Sequence, residues 1–188
     1  MKTTLQHPLA AVVITAVVFF SLFAGVGMGH NDEHKNGKKG KRGVMPVENE
    51  LYRAECGSCH FAYQPGWLPE RSWVKLMSQL DKHFGDNAEL EAEVQSNILT
   101  YLSENSAEKS TYRRSRKMNR SLRSGETPTR ITEVPYFERK HDEIPQRLIQ
   151  GNEQVQSLSH CDKCHGDAEK GKFRERAIKI PGHGRWED

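Results

Sequence analysis

The residues best suited to chemistry stand in two short motifs of one pattern, Cys-x-x-Cys-His. The first runs from Cys56 to His60 and the second from Cys161 to His165, and together they contain all 4 cysteines of the 188-residue chain. Two thiols three residues apart on a helical turn share one face, so both can bond to one porphyrin, and the next histidine can bind its iron. We therefore predict two covalently bound haem c groups. The predicted attachment residues are Cys56, Cys59, Cys161 and Cys164, with His60 and His165 as axial ligands of the irons.

Other chemistries of paired cysteines fit this spacing poorly. A zinc ribbon also uses two Cys-x-x-Cys pairs but separates them by about 15–20 residues, whereas about 100 residues separate Cys59 from Cys161. A thioredoxin-like site needs a βαβ unit around each pair, and neither motif is flanked by the apolar alternation of strands. The spacing therefore favours two haem sites.

The start of the chain has the pattern of an export signal. Lys2 precedes an apolar run from Leu9 to Met28, and in bacteria c-type haems are attached outside the cytoplasmic membrane. A run of about 20 residues is also long enough to span a bilayer, and no clear small-residue cleavage motif follows it. We predict that residues 1–29 are a signal peptide or an N-terminal membrane anchor, favour the cleaved signal, and expect the protein in the periplasm.

The composition predicts a chain that depends on its cofactor to fold. Hydrophobic residues make up 35% of the chain, which is little for a self-sufficient core, so buried porphyrin would supply missing apolar surface. Residues 30–43 contain no aromatic or large aliphatic residue, and we predict a basic flexible linker at 30–45. The formal net charge of +3 is too small to indicate nucleic-acid binding.

Three helices are predicted around the first motif from apolar residues at helical spacing. Their ranges are 46–55, 69–81 and 88–104. This order resembles class I cytochromes c, in which the second iron ligand lies in the loop before the last helix. His83 stands at that place, whereas Met77, the competing ligand, falls on the apolar stripe of a helix, where core packing suits it better. We expect a mainly α fold with a class I cytochrome c-like haem domain at 46–106.

A basic connector at 107–129 follows that predicted domain. From Lys109 to Arg123 the chain has no acidic residue. This pattern predicts either a solvated helix or a docking face for an acidic redox partner or for haem propionates.

The remaining residues, 130–188, are expected to form a smaller, irregular second haem domain. Ile131 and Val134 have short strand-like character, although Pro135 excludes a central strand. Too few residues follow His165 for a complete class I domain, so the second distal ligand should come from upstream. His141 is the candidate, and His183 is the alternative.

Four segments carry a resemblance to a known family. They are ECGSCHFAYQPGWLP, LDKHFGDNAEL, PYFERKH and CDKCHGDAEKGKF, and together they resemble the bacterial dihaem cytochromes c often found beside a membrane b-type cytochrome or an oxygen-binding haem protein. The resemblance implies two histidine ligands on each iron, with His60 and His165 proximal and His83 and His141 distal. It also implies that Tyr63 lies near both haems.

The function that these expectations imply is single-electron transfer at low potential, because two histidines give lower potentials than a histidine and a methionine. The expected donor is a membrane b-type cytochrome or another quinol-linked protein, and the expected acceptor is a soluble haem protein or a reductase. Two six-coordinate irons leave no position for substrate, so we expect no enzyme. The alternatives are an electron-transfer subunit of a periplasmic reductase, such as nitrate reductase, and a dihaem peroxidase or oxygen-binding protein.

Overall fold

The structure of the protein, a computed structural model, describes residues 40–186. Most of its regular structure is helical, which confirms the mainly α prediction. The α-helices are α1 (Glu50–Cys56), α2 (Glu70–Met77), α3 (Ala92–Glu104), α4 (Arg113–Ser121), α5 (Pro135–Glu138) and α6 (Cys161–Cys164). Short 3₁₀ helices occupy Pro65–Trp67, Leu80–Lys82, Ile131–Glu133, Gln146–Leu148 and Glu175–Ala177. Strands β1 (Lys179–Ile180) and β2 (Gly184–Arg185) pair antiparallel.

The predicted signal peptide or anchor at 1–29 lies outside the described residues, as does most of the predicted linker at 30–45. Between residues 40 and 186, no helix combines the length and the apolar character needed to cross a bilayer.

Helix α1 begins later than the sequence predicts, because a side chain caps it at Asn49. The Asn49 side chain accepts a hydrogen bond of 2.8 Å from the backbone N–H of Tyr52, which satisfies a donor that the helix itself leaves free. The Tyr52 ring is buried and fixes the helix against the core. The helix ends at Cys56, the first residue of the first motif.

Helices α2 and α3 pack against each other beside the first motif. Trp73 and Met77 of α2 and Ile98 and Leu102 of α3 are buried between them, as their helical spacing predicts. Helix α3 starts at Ala92 rather than at residue 88, because the side chain of Asn87 accepts a hydrogen bond from the N–H of Glu89. Such an Asx turn competes with the start of a helix.

Helix α4 lies within the predicted connector, yet it is part of the core. Ser115 and Met118 are buried on one face, and the helix packs against α5 and the 3₁₀ helix at Pro65–Trp67. Its other face carries exposed cations. They are Arg113, Arg116, Lys117 and Arg120.

The strand-like expectation around Ile131 and Val134 is wrong. Ile131 opens a 3₁₀ helix, and Val134 directly precedes α5. Pro135 stands at the first position of α5, where its fixed φ favours a helix and its missing N–H costs nothing.

One hydrophobic core joins residues from both predicted haem domains. It includes Tyr52 and Leu102 from the first and Val134 and Phe173 from the second, so the connector is not a break in the packing. A smaller cluster of Ile149, Val155 and Ile180 lies beside the second motif.

The described end of the predicted linker is also packed. Val44 is 1% exposed, and its N–H donates a hydrogen bond of 3.0 Å to the carbonyl oxygen of Gly171. Gly171 has a φ of +66°, and a Cβ there would lie 2.1 Å from the carbonyl oxygen of Val44. Only glycine permits this conformation and this close approach.

Candidate metal centres

The first candidate centre consists of His60 and His83, whose rings face each other. Their ring centroids are 6.1 Å apart and their planes are inclined by 20°. His60 follows α1 and the first cysteine pair, and His83 follows the 3₁₀ helix at Leu80–Lys82. The structure thus brings together two residues that the sequence placed on one iron.

The second candidate centre consists of His141 and His165. Their ring centroids are 6.3 Å apart, and their planes are nearly perpendicular at 84°. The His141 ring stacks on Phe137 with centroids 3.9 Å apart and an interplanar angle of 16°. His165 follows α6 and forms an isolated bridge with Ile178.

Both separations fit one metal ion between the two imidazoles. A metal–imidazole bond is about 2 Å long and a ring nitrogen lies about 1.1 Å from the centroid, so two rings on opposite sides of one ion should have centroids about 6.3 Å apart. In the described part of the chain, no group of three or more His, Cys, Asp or Glu side chains is arranged to hold a metal ion. A porphyrin would supply four further nitrogen ligands to such an ion.

Backbone carbonyl groups fix the orientation of two of these imidazoles. The Nδ1 of His60 is 2.8 Å from the carbonyl oxygen of Phe61, and the Nδ1 of His141 is 2.8 Å from that of Phe137. A histidine that donates its Nδ1–H to a carbonyl keeps the lone pair on Nε2 for a metal. His83 differs, because its Nδ1 is buried and has no hydrogen-bond partner among the described residues.

The electrostatic surroundings keep two of the imidazoles in the neutral form that binds metals. Burial lowers the pKa of His165 to about 4, with the nearby His141 and Arg114 acting in the same direction. Burial also lowers the pKa of His83, and His60 and Arg130 add to the effect. Since protonation competes with metal binding, both shifts extend the pH range of ligation downwards.

Within residues 40–186, no disulfide joins the cysteines of the two motifs. Burial raises the pKa of Cys56 to about 11 and that of Cys161 to about 12. Thiols of this kind are protonated at neutral pH, unlike the thiolates of redox-active motifs. Their environment therefore does not favour thiol–disulfide chemistry.

A large cavity adjoins the second histidine pair. Cys161, Cys164, His141 and His165 all line it. Most of the remaining wall is apolar and aromatic, but Arg114 and Lys140 also reach it, and these are suitable partners for the carboxylates of a porphyrin.

Tyr63 links the first centre to the segment before the second motif. Its ring stacks on His60 with centroids 5.1 Å apart, and its hydroxyl donates a hydrogen bond of 2.9 Å to the carbonyl oxygen of Ser159, just before Cys161. Burial is the main cause that raises the pKa of Tyr63 to about 12, so the hydroxyl stays protonated. That Tyr63 lies near both haems, as the family resemblance implies, stays a prediction.

The neighbouring Gln64 is a second link that sequence reasoning missed. Its side chain is fully buried, donates a hydrogen bond of 2.7 Å to the carbonyl oxygen of Ala168 and accepts one of 2.7 Å from the indole N–H of Trp67. Residues 63 and 64 therefore hold the second motif on both of its flanks.

His183 and Met77, the alternative ligands, lie outside both histidine pairs. His183 is exposed and contacts Trp186, with ring centroids 6.1 Å apart, and Met77 is 4% exposed in the core. His160 lines the cavity, where its Nδ1 is 2.7 Å from the carbonyl oxygen of Val155.

Sequence reasoning also missed the role of Phe137 beside His141. Its position was a usable signal, because Phe137 precedes His141 by four residues, one turn of a helix.

Comparisons with known proteins identify the family. The family model described as dihaem cytochrome c matches residues 52–173. A structure of a dihaem cytochrome c from Shewanella baltica OS155 is similar, with 42% identity and a TM-score of 0.63, covering 75% of this chain and 99% of that chain. Two structures of dihaem cytochrome c from Rhodobacter sphaeroides have 41% and 39% identity, with TM-scores of 0.62 and 0.56. Each covers 69% of this chain and 100% of the other. No curated protein matches.

Proposed function

This chain belongs to the dihaem cytochrome c family, and we propose that it is a periplasmic, low-potential carrier of single electrons. It binds two haem c groups covalently, which confirms the cofactor prediction, and the family implies electron transfer. Haem iron supplies the chemistry, since it takes up and releases one electron at a time. The chain must hold, orient and shield the two groups.

In this proposal each iron has two histidine ligands, His60 with His83 and His141 with His165. The single observation that carries the proposal is the spacing of the two ring pairs, 6.1 Å and 6.3 Å between centroids. Both separations suit one iron between two imidazoles. With both axial positions filled at rest, the protein transfers electrons rather than transforming a substrate.

The low potential follows from the proposed ligands. Methionine ligation raises the potential of a haem, and two histidines give lower values. Met77 packs in the core beside α3, which supports His83 as the ligand of the first centre. The carbonyl group of Phe137 also faces the Nδ1 of His141, and such a contact increases the basicity of an imidazole ligand.

Transfer between the two centres would use the contacts of Tyr63. The Tyr63 ring lies against His60, and its hydroxyl bonds to the residue two positions before Cys161. These contacts join the two centres through packed atoms and one hydrogen bond. The second link, through Gln64, joins the loop after the first motif to Ala168, after the second motif.

The proposed partners follow from the family resemblance and from charge. We place a membrane b-type cytochrome or another quinol-linked protein as the donor, and a soluble haem protein or a reductase as the acceptor. The exposed cations of α4 lie beside Arg114 and Met118, which line the cavity next to the second histidine pair. A partner with an acidic face would be steered to that edge. The apolar run at 9–28 supports export to the periplasm.

The test uses the exported, haem-loaded protein. Its mass should exceed that of the polypeptide by two haem groups, and the electron paramagnetic resonance spectrum of the oxidised form should show two low-spin irons with bis-histidine signals. A redox titration should remove two electrons at potentials below those of histidine–methionine cytochromes. A high-spin iron in the oxidised form, or a methionine-ligated one, would overturn the ligand assignment.

A further inference from the structure

The two distal histidines are held very differently. His141 has its Nδ1 2.8 Å from the carbonyl oxygen of Phe137 and its ring stacked on the Phe137 ring. His83 has a buried Nδ1 without a hydrogen-bond partner in residues 40–186. A metal-bound histidine normally donates its second N–H to such a partner, which fixes the ring and strengthens it as a ligand. The first centre therefore has the less securely held distal ligand.

The backbone around His83 also differs from that around His141. His83 and Asp86 form an isolated bridge, and residues 81–87 are exposed except for His83. Between them stands Phe84, a non-glycine residue with a φ of +55° and 47% exposure. A bulky residue in the left-handed region stores strain. A displacement of this turn would relieve strain and expose little additional core.

One contact outside the turn holds it in place. The guanidinium of Arg130 lies over the Phe84 ring, 4.1 Å from its centroid, and it also pairs with Glu133 at 3.6 Å. Cation–π contacts at exposed sites are weak. Arg130 thus restrains the turn that carries His83 through its contact with Phe84. It is not itself a ligand of the metal centre.

We propose that His83 is an exchangeable ligand, and that the first centre binds a small neutral diatomic molecule, such as carbon monoxide or nitric oxide, on reduced iron. In this step His83 gives up its bond to the iron and the diatomic molecule forms one in its place. No proton or electron is transferred, and the iron has already been reduced by the electron-transfer activity. This function goes beyond electron transfer, and the second centre does not share it, because Phe137 holds His141.

The expected size of the difference comes from the missing hydrogen bond. Loss of such an outer partner changes metal–ligand affinity about 10- to 100-fold. His83 should therefore leave its iron about 10- to 100-fold more readily than His141 leaves the second iron. The contact between Arg130 and Phe84 is weaker than such a hydrogen bond. Its removal should speed ligand entry about two- to fivefold.

The experiment adds carbon monoxide to the dithionite-reduced, haem-loaded protein and follows the visible spectrum. One molecule should bind per chain, so half of the haem should change its spectrum. No binding, or two molecules bound with equal affinity, would overturn the proposal. Neither outcome would affect the electron-transfer assignment, which depends on the oxidised spectrum and the redox titration.

Variants identify the centre that opens. His83→Ala removes the competing ligand, so this variant should still bind one molecule of carbon monoxide, but faster. If it binds two molecules, the centre that binds carbon monoxide in the wild-type protein is the second one. Arg130→Gln and Phe84→Ala keep the ligand and should bind carbon monoxide about two- to fivefold faster than wild type. Arg139→Gln, a change of an exposed arginine near the second centre, is the matched control. Equal rates in all four proteins with intact His83 would show that the turn does not gate the site.

Discussion

Replacing Gln64 by leucine should destabilise the protein severely. Gln64 is fully buried and joins the loop after the first motif to the loop after the second. In Gln64→Leu, the indole N–H of Trp67 loses its partner, and the carbonyl oxygen of Ala168 loses one of two bonds, keeping the one from the N–H of Gly171. The leucine side chain fills a similar volume but offers no hydrogen bond.

The magnitude follows from these two losses. A buried polar group without a partner destabilises a fold by about 1–3 kcal/mol and a lost hydrogen bond by about 0.5–1.5 kcal/mol, so the total should be about 1.5–4.5 kcal/mol. Domains are typically stable by about 5–15 kcal/mol. The change should therefore remove a large fraction of the free energy of unfolding.

The assay is urea unfolding of the haem-loaded protein, followed by circular dichroism in the haem and peptide bands. With a denaturant dependence of about 2 kcal/mol per M, the midpoint should fall by about 1–2 M. Gln150→Leu changes an exposed glutamine and should shift the free energy of unfolding by less than about 0.5 kcal/mol. Equal midpoints for the two variants would refute the reasoning.

A second substitution separates the two bonds. Gln64→Glu keeps an acceptor for Trp67 but places a carboxyl group against the carbonyl oxygen of Ala168. Burial raises the pKa of such a carboxyl group. The variant should be most stable below about pH 4.3, the ordinary pKa of glutamic acid, and should lose stability as pH rises from there through the raised pKa.

Three further changes test other parts of the molecule. Tyr63→Phe removes the hydrogen bond to Ser159 and should slow electron transfer between the centres, measured by flash photolysis; an unchanged rate would leave Tyr63 as pocket wall. Arg114→Gln removes a cation that lowers the pKa of His165. The pKa should rise, and the spectral change that marks ligand loss on acidification should begin at higher pH. Arg116→Glu combined with Arg120→Glu should slow reduction of an acidic acceptor about tenfold at low salt, and the difference should vanish near 1 M salt; equal salt dependence would exclude α4 as the docking face.

The chemistry of this chain was predictable because it depends on short spacings. Cys-x-x-Cys-His requires only a helical turn, so both haem groups could be placed from the sequence alone. The helices followed from apolar residues at the same kind of spacing, as Trp73 and Met77 show. The family match and the similar structures confirm the family resemblance and the two haem c groups. The axial roles of His83 and His141 stay predictions with supporting geometry.

The rest depended on contacts between distant residues. Gln64 and Ala168 form a hydrogen bond across 104 positions, and no local pattern records such a pair. The same applies to the shared core, since Met118 of the basic segment is buried against other elements. The charges of α4 predict a connector. Its buried face was not predictable, because that face contains few apolar residues.

The bonds from Tyr63 and Gln64 also bear on the order in which the chain matures. They span 96 and 104 positions, and contacts of such high sequence separation form late, because long loops must close first. The thiols of both motifs therefore remain accessible in an unfolded chain for most of the folding time. Covalent attachment of porphyrin can then precede compaction, and the final locking of the two halves follows it.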